Sequence, residues 1–177
     1  MNTSAKRRAG FTLLELVVVI AIIAILAAVA LPRLIDTQRD ARVAKAKAMY
    51  GALRSASSLA RARCELDLSY DAPPTGGDCR SSPPAVMMDG HRVQMTNHFP
   101  AATADGIDVA ADINLAADGL VATNGMDANS LGMTVPSRLF KVSGGGTPSQ
   151  CSVTYLEAGF RGGSVVGAEV TVATDGC

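Results

Sequence analysis

Lys6-Arg7-Arg8-Ala9-Gly10, then FTLLELVVVIAIIAILAAVAL from Phe11 to Leu31, then Pro32, is the stretch that decides how this chain is built. The 21 residues from Phe11 to Leu31 carry one charge, Glu15. As a helix they extend roughly 32 Å, enough to cross a bilayer core. A carboxylate one turn into such a helix is costly in lipid and calls for a named partner. A removable secretory signal has its small-residue cleavage site after the apolar run. Here Gly10 precedes it, so cleavage at Gly10 leaves the apolar helix on the mature chain. A plain membrane anchor explains the length but not the acid.

Gly10-Phe11-Thr12-Leu13-Leu14-Glu15-Leu16 resembles the prepilin motif of type IV pilins and of type II secretion pseudopilins. Basic leader, glycine, phenylalanine, acid and unbroken apolar run all fall in register. The resemblance implies that a membrane prepilin peptidase cuts between Gly10 and Phe11 and N-methylates Phe11. It also implies that Glu15 pairs with the terminal amine of a neighbouring subunit. Electrostatics agrees, since a buried carboxylate and a buried amine are each expensive alone, and their pairing acts as a registry device. Pro32 matches the family's kinking proline. Physically it removes a backbone donor and clashes with the preceding turn. Past the anchor, DTQRDARVAKAKAMYGALRSASSLARA, FPAATADGI and the cysteine-bracketed end are similar to type IV pilins of the mannose-sensitive haemagglutinin type. The fold implied is α+β: a long N-terminal helix, its apolar half exposed and its second half packed on an antiparallel sheet, with a disulfide-closed C-terminal region.

With 177 residues, one soluble domain plus the anchor is expected. The division reads as a leader at 1–10, a membrane or filament-core helix at 11–32, an amphipathic continuation at 33–63 and a globular head at 64–177. Net charge is zero but uneven: +3 in the leader, −1 at Glu15, +6 from Arg33 to Arg63, and −8 from Cys64 onward. A basic helix joined to an acidic head suits contacts between copies, and equally suits solvated faces. Trp is absent and aromatics make up 4% of the chain, so the head has a modest core that disulfides would support. Cys64, Cys79, Cys151 and Cys177 allow three pairings. The one with the shortest loops is Cys64–Cys79 with Cys151–Cys177, and the resemblance supports the second pair. The extra pair Cys64 and Cys79 has no role that the resemblance supplies. All four lie on one side of the apolar run, which argues that this side is oxidising. The basic residues just after the run point the other way under the positive-inside rule. The cysteines and the leader motif outweigh it, because the peptidase reads the short leader from the cytoplasmic face.

Along the rest of the chain, Arg33 to about Arg63 reads as continued helix with one breaker, Gly51, at a cost of about 1 kcal/mol. The whole helix, Phe11 to about Ala62, would extend roughly 78 Å. Leu34, Ala41, Ala44, Ala48, Ala52, Ala56 and Leu59 fall near helical spacing and are expected to form a slim apolar face, whose small residues let a sheet or another helix approach closely. Cys64 to Pro84 reads as a loop, and Val86 to Met95 as a hairpin turning at Asp89-Gly90. One or two short helices are expected after Thr103. Asn124 to Thr134 reads as turn-rich, Pro136 to Val142 as a strand, and Gly144 to Gly146 as a flexible link. Val153 to Val172 alternates as a single hairpin about a turn at Phe160 to Gly163.

Chemistry is not expected from this chain. Asp105, Asp108, Asp112 and Asp118 do not have EF-hand spacing. His91 and His98 read as surface or capping groups and the methionines as core filler. The glycine-rich turns lack phosphate-loop spacing. With few aromatics to stack bases, and with an acidic head, a nucleic-acid partner is not expected. No catalytic, cofactor or metal residues are assigned. The expected function is that of a non-enzymatic structural subunit polymerising through its N-terminal helix into a surface pilus for attachment or motility. The alternatives are a type II secretion pseudopilin or a minor pilin. The expected partners are further copies of the chain, the prepilin peptidase and methyltransferase, the inner-membrane assembly machinery, and the membrane itself before assembly. The expected location is the bacterial inner membrane, N-terminus cytoplasmic, and then the extracellular pilus.

Overall fold

The computed structural model describes residues 11–69, 78–144 and 150–177, with the backbone alone for 32–35. Gly10 and the leader, and the expected link at Gly145 and Gly146, lie outside the described residues. The chain divides into two compact units between Arg39 and Asp40. One helix, α1, runs Leu13–Ser69. Every side chain from Phe11 to Leu31 is exposed. Those residues are Leu, Ile, Val and Ala almost throughout, apolar around the whole circumference, which is the pattern of a helix built to be covered by something else.

The second unit is α+β. Among the described residues nine strands follow α1: β1 (Ala85–Met88), β2 (His91–Thr96), β3 (Phe99–Pro100), β4 (Leu120–Ala128), β5 (Thr134–Val142), β6 (Ser152–Leu156), β7 (Gly159–Arg161), β8 (Ser164–Val166) and β9 (Glu169–Ala173). They form antiparallel sheets in the orders β1-β2-β3, β4-β5-β6-β9 and β7-β8. Asp89 and Gly90 take positive φ at the β1–β2 turn, as a tight hairpin requires. Pro100, which has no N–H to give, sits on the edge strand β3.

The helix contributes to two cores. Ala46, Met49 and Leu53 pack with Ile107, Phe140, Val153 and Tyr155 of the larger sheet and its flanking segment. Further along the helix, Ala60 and Cys64 pack with Val86, Val93 and Met95 of the β1–β2 hairpin. Both cores are stapled. Cys151–Cys177 lies in the first, and Cys64–Cys79 ties the helix to the segment before β1 in the second. Such bridges restrict the unfolded chain and are typically worth about 2–4 kcal/mol each.

The structure differs from the sequence reading in four places. The buried face of α1 is Ala46, Met49, Leu53, Ala56, Ala60 and Cys64, whereas Ala41, Ala44, Ala48, Ala52 and Leu59 are exposed. Of the described residues of the expected slim apolar face, Ala56 alone is buried against the head, and the rest of that face stays open. Alanine occurs on every side of this helix, so alanine spacing cannot set its phase; the larger Met49 and Leu53 do. Second, α1 continues to Ser69, so Cys64 is a helical residue and not the start of a loop. Third, Asn124 to Ala128 belongs to strand β4. Its Asn and Gly residues read as a turn, but an edge strand is held by its ladder to β5 and tolerates them. Fourth, the expected C-terminal hairpin is split: β6 pairs with β9, and the ribbon β7-β8, tipped by Gly162-Gly163, is inserted between them. The helical turn expected after Thr103 is a short π-helix, Ala104–Asp108, with no side-chain cap from Thr103.

Candidate assembly site

The first turn of α1 holds the acid in a defined local arrangement. The Glu15 N–H donates to Thr12 Oγ1 at 3.2 Å. In return the Thr12 N–H and the Thr12 hydroxyl donate to Glu15 Oε2 at 3.4 and 3.3 Å. This is a capping box, in which residues three apart satisfy two otherwise orphaned donors of the helix end. A carboxylate here also faces the positive end of the helix dipole. Phe11, 83% exposed, stands just before the cap. From Leu13 the exposed run Leu14, Leu16, Val17, Val18, Val19 and Ile20 continues the apolar surface. One end of the helix therefore offers an acid with remaining acceptor capacity, set in a surface that water solvates poorly. That arrangement suits a cation delivered together with apolar surface. The sequence reading singled out Glu15 but missed Thr12, although the Thr-x-x-Glu spacing was present to be read.

Of the other expected site residues, Pro32 lies inside the helix assignment, and its side chain is outside the described residues. Gly10 is outside them as well. Phe11 and Glu15 are brought within about one turn of each other. The four cysteines, all paired, belong to the head and not to this site.

The second unit is tied together by buried polar contacts. Asp108 and Arg138, both more than nine-tenths buried as side chains, form a two-pronged ion pair, Nε to Oδ1 at 3.1 Å and NH2 to Oδ2 at 2.5 Å. Arg138 NH1 also donates to Asn124 Oδ1 at 2.7 Å, so the guanidinium links the π-helix to two strands. Tyr155 is fully buried and its hydroxyl donates to the carbonyl of Pro100 at 2.7 Å. Gly106 leaves no room for a side chain, because a Cβ there would meet Ala101 O at 2.2 Å. Arg42 Nε donates to the Cys177 carbonyl at 2.7 Å, and Lys45 Nζ donates to the Asp118 carbonyl, holding the helix against the sheet. His98 contacts Glu65 at 3.1 Å, both half-exposed. None of these groups forms a catalytic arrangement. Among the described residues there is no cluster of three or more His, Cys, Asp or Glu able to hold a metal ion.

Known proteins resemble parts of this chain in sequence. Residues 5–31 match the family of the prokaryotic N-terminal methylation motif. The chain is 40% identical over 79 residues to the type IV narrow pilus major component PilA5 of Thermus thermophilus. That alignment covers 43% of this chain and 68% of the relative. No solved structure matches. The chain belongs to the type IV pilin family. Membership places it among structural proteins and not among enzymes.

Proposed function

We propose that this chain is the major structural subunit of a type IV pilus, built by stacking copies through their N-terminal helices into a surface filament for attachment or motility. The observation that carries the reading is the apolar first part of α1, exposed on all sides yet bearing a capped acid in its first turn. The relative, itself named a major pilus component, supports the choice of major subunit. In this reading the leader at 1–10 is removed between Gly10 and Phe11 by a prepilin peptidase, and Phe11 is N-methylated. The new amine, carried on an apolar helix, is the cation that Glu15 of a neighbouring copy accepts. Pro32 bends the helix between the filament-core part, 11–32, and the continuation at 33–63, beyond which lies the head. The finer likeness to the mannose-sensitive haemagglutinin type rests on the segments around Asp36 to Ala62 and Phe99 to Ile107 and on the end bracketed by Cys151 and Cys177. Before assembly the subunit spans the inner membrane with its N-terminus cytoplasmic. The assembly machinery then extracts it into the extracellular fibre.

The test is the intact mass of protein sheared from the cell surface. A dominant species that begins at methylated Phe11 and has no free thiol supports the major pilin. Processed chain confined to the membrane fraction points to a pseudopilin or a minor pilin. Chain that still carries Met1 to Gly10 overturns the processing.

A further inference from the structure

The larger sheet, in the order β4-β5-β6-β9, ends on one side in a long strand with an open edge. Strand β4, Leu120–Ala128, pairs with β5 residue for residue over its whole length, without a bulge. Hydrogen bonds at the two ends of this ladder fix which groups face β5. The Ser143 N–H donates to the Gly119 carbonyl at 3.2 Å, and the Asn129 N–H donates to the Met133 carbonyl at 2.9 Å. Gly119 and Asn129 are both odd-numbered, and antiparallel pairs alternate along a ladder. The odd residues of β4 therefore bond to β5, and the even ones turn their N–H and C=O groups outward. The Leu120 N–H is taken by the Leu115 carbonyl at 2.8 Å. Among the described residues no backbone hydrogen bond reaches the outward groups of Ala122, Asn124, Met126 or Ala128. Open edges are ordinarily blunted by lysine, proline, a bulge or a covering loop. The strand LVATNGMDA has no basic residue and no proline, and its Val121 and Met126 are exposed. The free edge of β9 differs, because Tyr50, Arg54 and Ser57 of α1 stand beside it, around one cavity with Ala168 and Val170.

We infer that this edge is an interaction surface that takes the β4 strand of a second copy of the chain, antiparallel and centred on Gly125. Added strands of this kind bind through main-chain hydrogen bonds. The open positions are self-complementary. With Gly125 opposite Gly125 of the second copy, Ala122 lies opposite Ala128 and Asn124 opposite Met126, so every outward group meets an outward group. Gly125 then sits on the two-fold axis in a non-hydrogen-bonded pair, where facing residues approach most closely, and it brings no side chain to clash there. Asp127 is the one ionisable residue of the strand. It faces Thr123 of the other copy, and the two Asp127 residues stay about 13 Å apart along the strands, so no like charges are opposed. Its carboxylate already accepts from Ser137 Oγ at 2.5 Å, which leaves the edge little charge with which to select an acidic or basic peptide. The contact is isologous and closes at two copies. Copies stacked by one repeated rotation and rise have no two-fold axis between them. The edge therefore joins heads of different fibres, or of unassembled subunits, and is separate from the stacking in the filament reading.

The test uses the full-length chain purified in detergent, as a mixture of isotope-labelled and unlabelled copies, with a photo-cross-linking residue at position 128. The cross-link is expected to reach position 122 of the other copy. Two variants then close the edge. Met126→Pro removes an outward N–H and no bond to β5, a place where edge strands accept proline. Ala122→Lys combined with Met126→Lys charges the edge. Each is expected to form both disulfides and to lower the cross-link to position 122 at least tenfold. Ser164→Arg, at an exposed position of β8, is expected to leave it at the parent level. A parent chain without this inter-copy cross-link, or one whose cross-link lands on β9 or α1 instead, overturns the proposal. So does a cross-link that either correctly oxidised variant leaves undiminished. If Met126→Pro fails to form its disulfides, the lysine variant decides; if both fail, the landing site in the parent decides. Each of these failures leaves the filament reading standing, because that reading is tested by the mass of the sheared material.

Discussion

Thr12 and Glu15 satisfy each other across the first turn of α1, each donating to or accepting from the other through backbone and side chain. The acid in the apolar run is thus not bare in the single subunit. Its cap lowers the cost of holding a carboxylate beside lipid, and an incoming amine must offer more than a hydroxyl and one N–H. A charged amine does so, because charge-assisted hydrogen bonds are roughly twice as strong as neutral ones.

Glu15→Ala is expected to leave leader removal intact and to lower the yield of sheared filaments at least tenfold. Immunoblots of membrane and sheared fractions measure both. A normal fibre yield from this variant removes the registry role.

Substitution of Gly10 by a bulky residue, for example Gly10→Phe, is expected to block cleavage and hold full-length chain in the membrane. Mass spectrometry distinguishes the two forms by the ten-residue leader. Mature chain appearing in this variant places the processing site elsewhere.

Asp108→Ala leaves the buried guanidinium of Arg138 without its carboxylate partner, held by Asn124 and lying over the Phe140 ring. Removing one partner of a buried pair costs about 3–5 kcal/mol. Urea unfolding of the detergent-solubilised chain should show that loss. Changing Asp108 and Arg138 together to apolar residues should recover much of it, since no buried charge then remains.

Burial raises the pKa of the Tyr155 hydroxyl above its ordinary value; a hydrogen bond with Ser57 opposes the shift and the charge of Glu157 adds to it. The folded head therefore binds this proton more tightly than the unfolded chain does. The stability it contributes is fully present below the unfolded pKa of about 10 and is lost as pH rises through the higher folded value. Tyr155→Phe should make the alkaline unfolding profile shallower. At neutral pH it should cost about 1–3 kcal/mol, because the buried Pro100 carbonyl loses its donor.

Gly106→Ala forces a methyl group into the Ala101 carbonyl, and backbone must shift to admit it. A loss of roughly 3 kcal/mol is expected, at the upper end of ordinary single substitutions. A change below about 0.5 kcal/mol in the same urea assay, the size of a neutral surface substitution, would show that the turn before the π-helix is soft.

The class of fold was legible because its signals are local and redundant. A long apolar run, a basic leader and an acid in register need no tertiary information. The tight turn at Asp89-Gly90 and the strand through Phe140 announced themselves by turn chemistry and alternation. What stayed hidden depends on contacts distant in sequence. The phase of α1 is set by where Met49 and Leu53 meet the sheet, and alanine spacing carries no such information. Strand β4 is a strand because β5 lies beside it, despite Asn124 and Gly125. The pairing of Asp108 with Arg138, 30 residues apart, is invisible until the π-helix and β5 are brought together. At the candidate assembly site, the Thr12–Glu15 cap was written in the spacing of two residues and was readable throughout.

Helix α1 bears its head on one side and leaves the other open, so folding acts on one of two interleaved sets of residues. A library sorted for soluble, correctly oxidised protein would constrain Leu53 and Ala60 and let Ala48 and Ala52 drift. A library sorted for fibres on living cells would show whether Ala48 and Ala52 are held as well. Chains sorted only for expression would let the open side change freely, so an expression screen is blind to whatever that side does outside the isolated molecule.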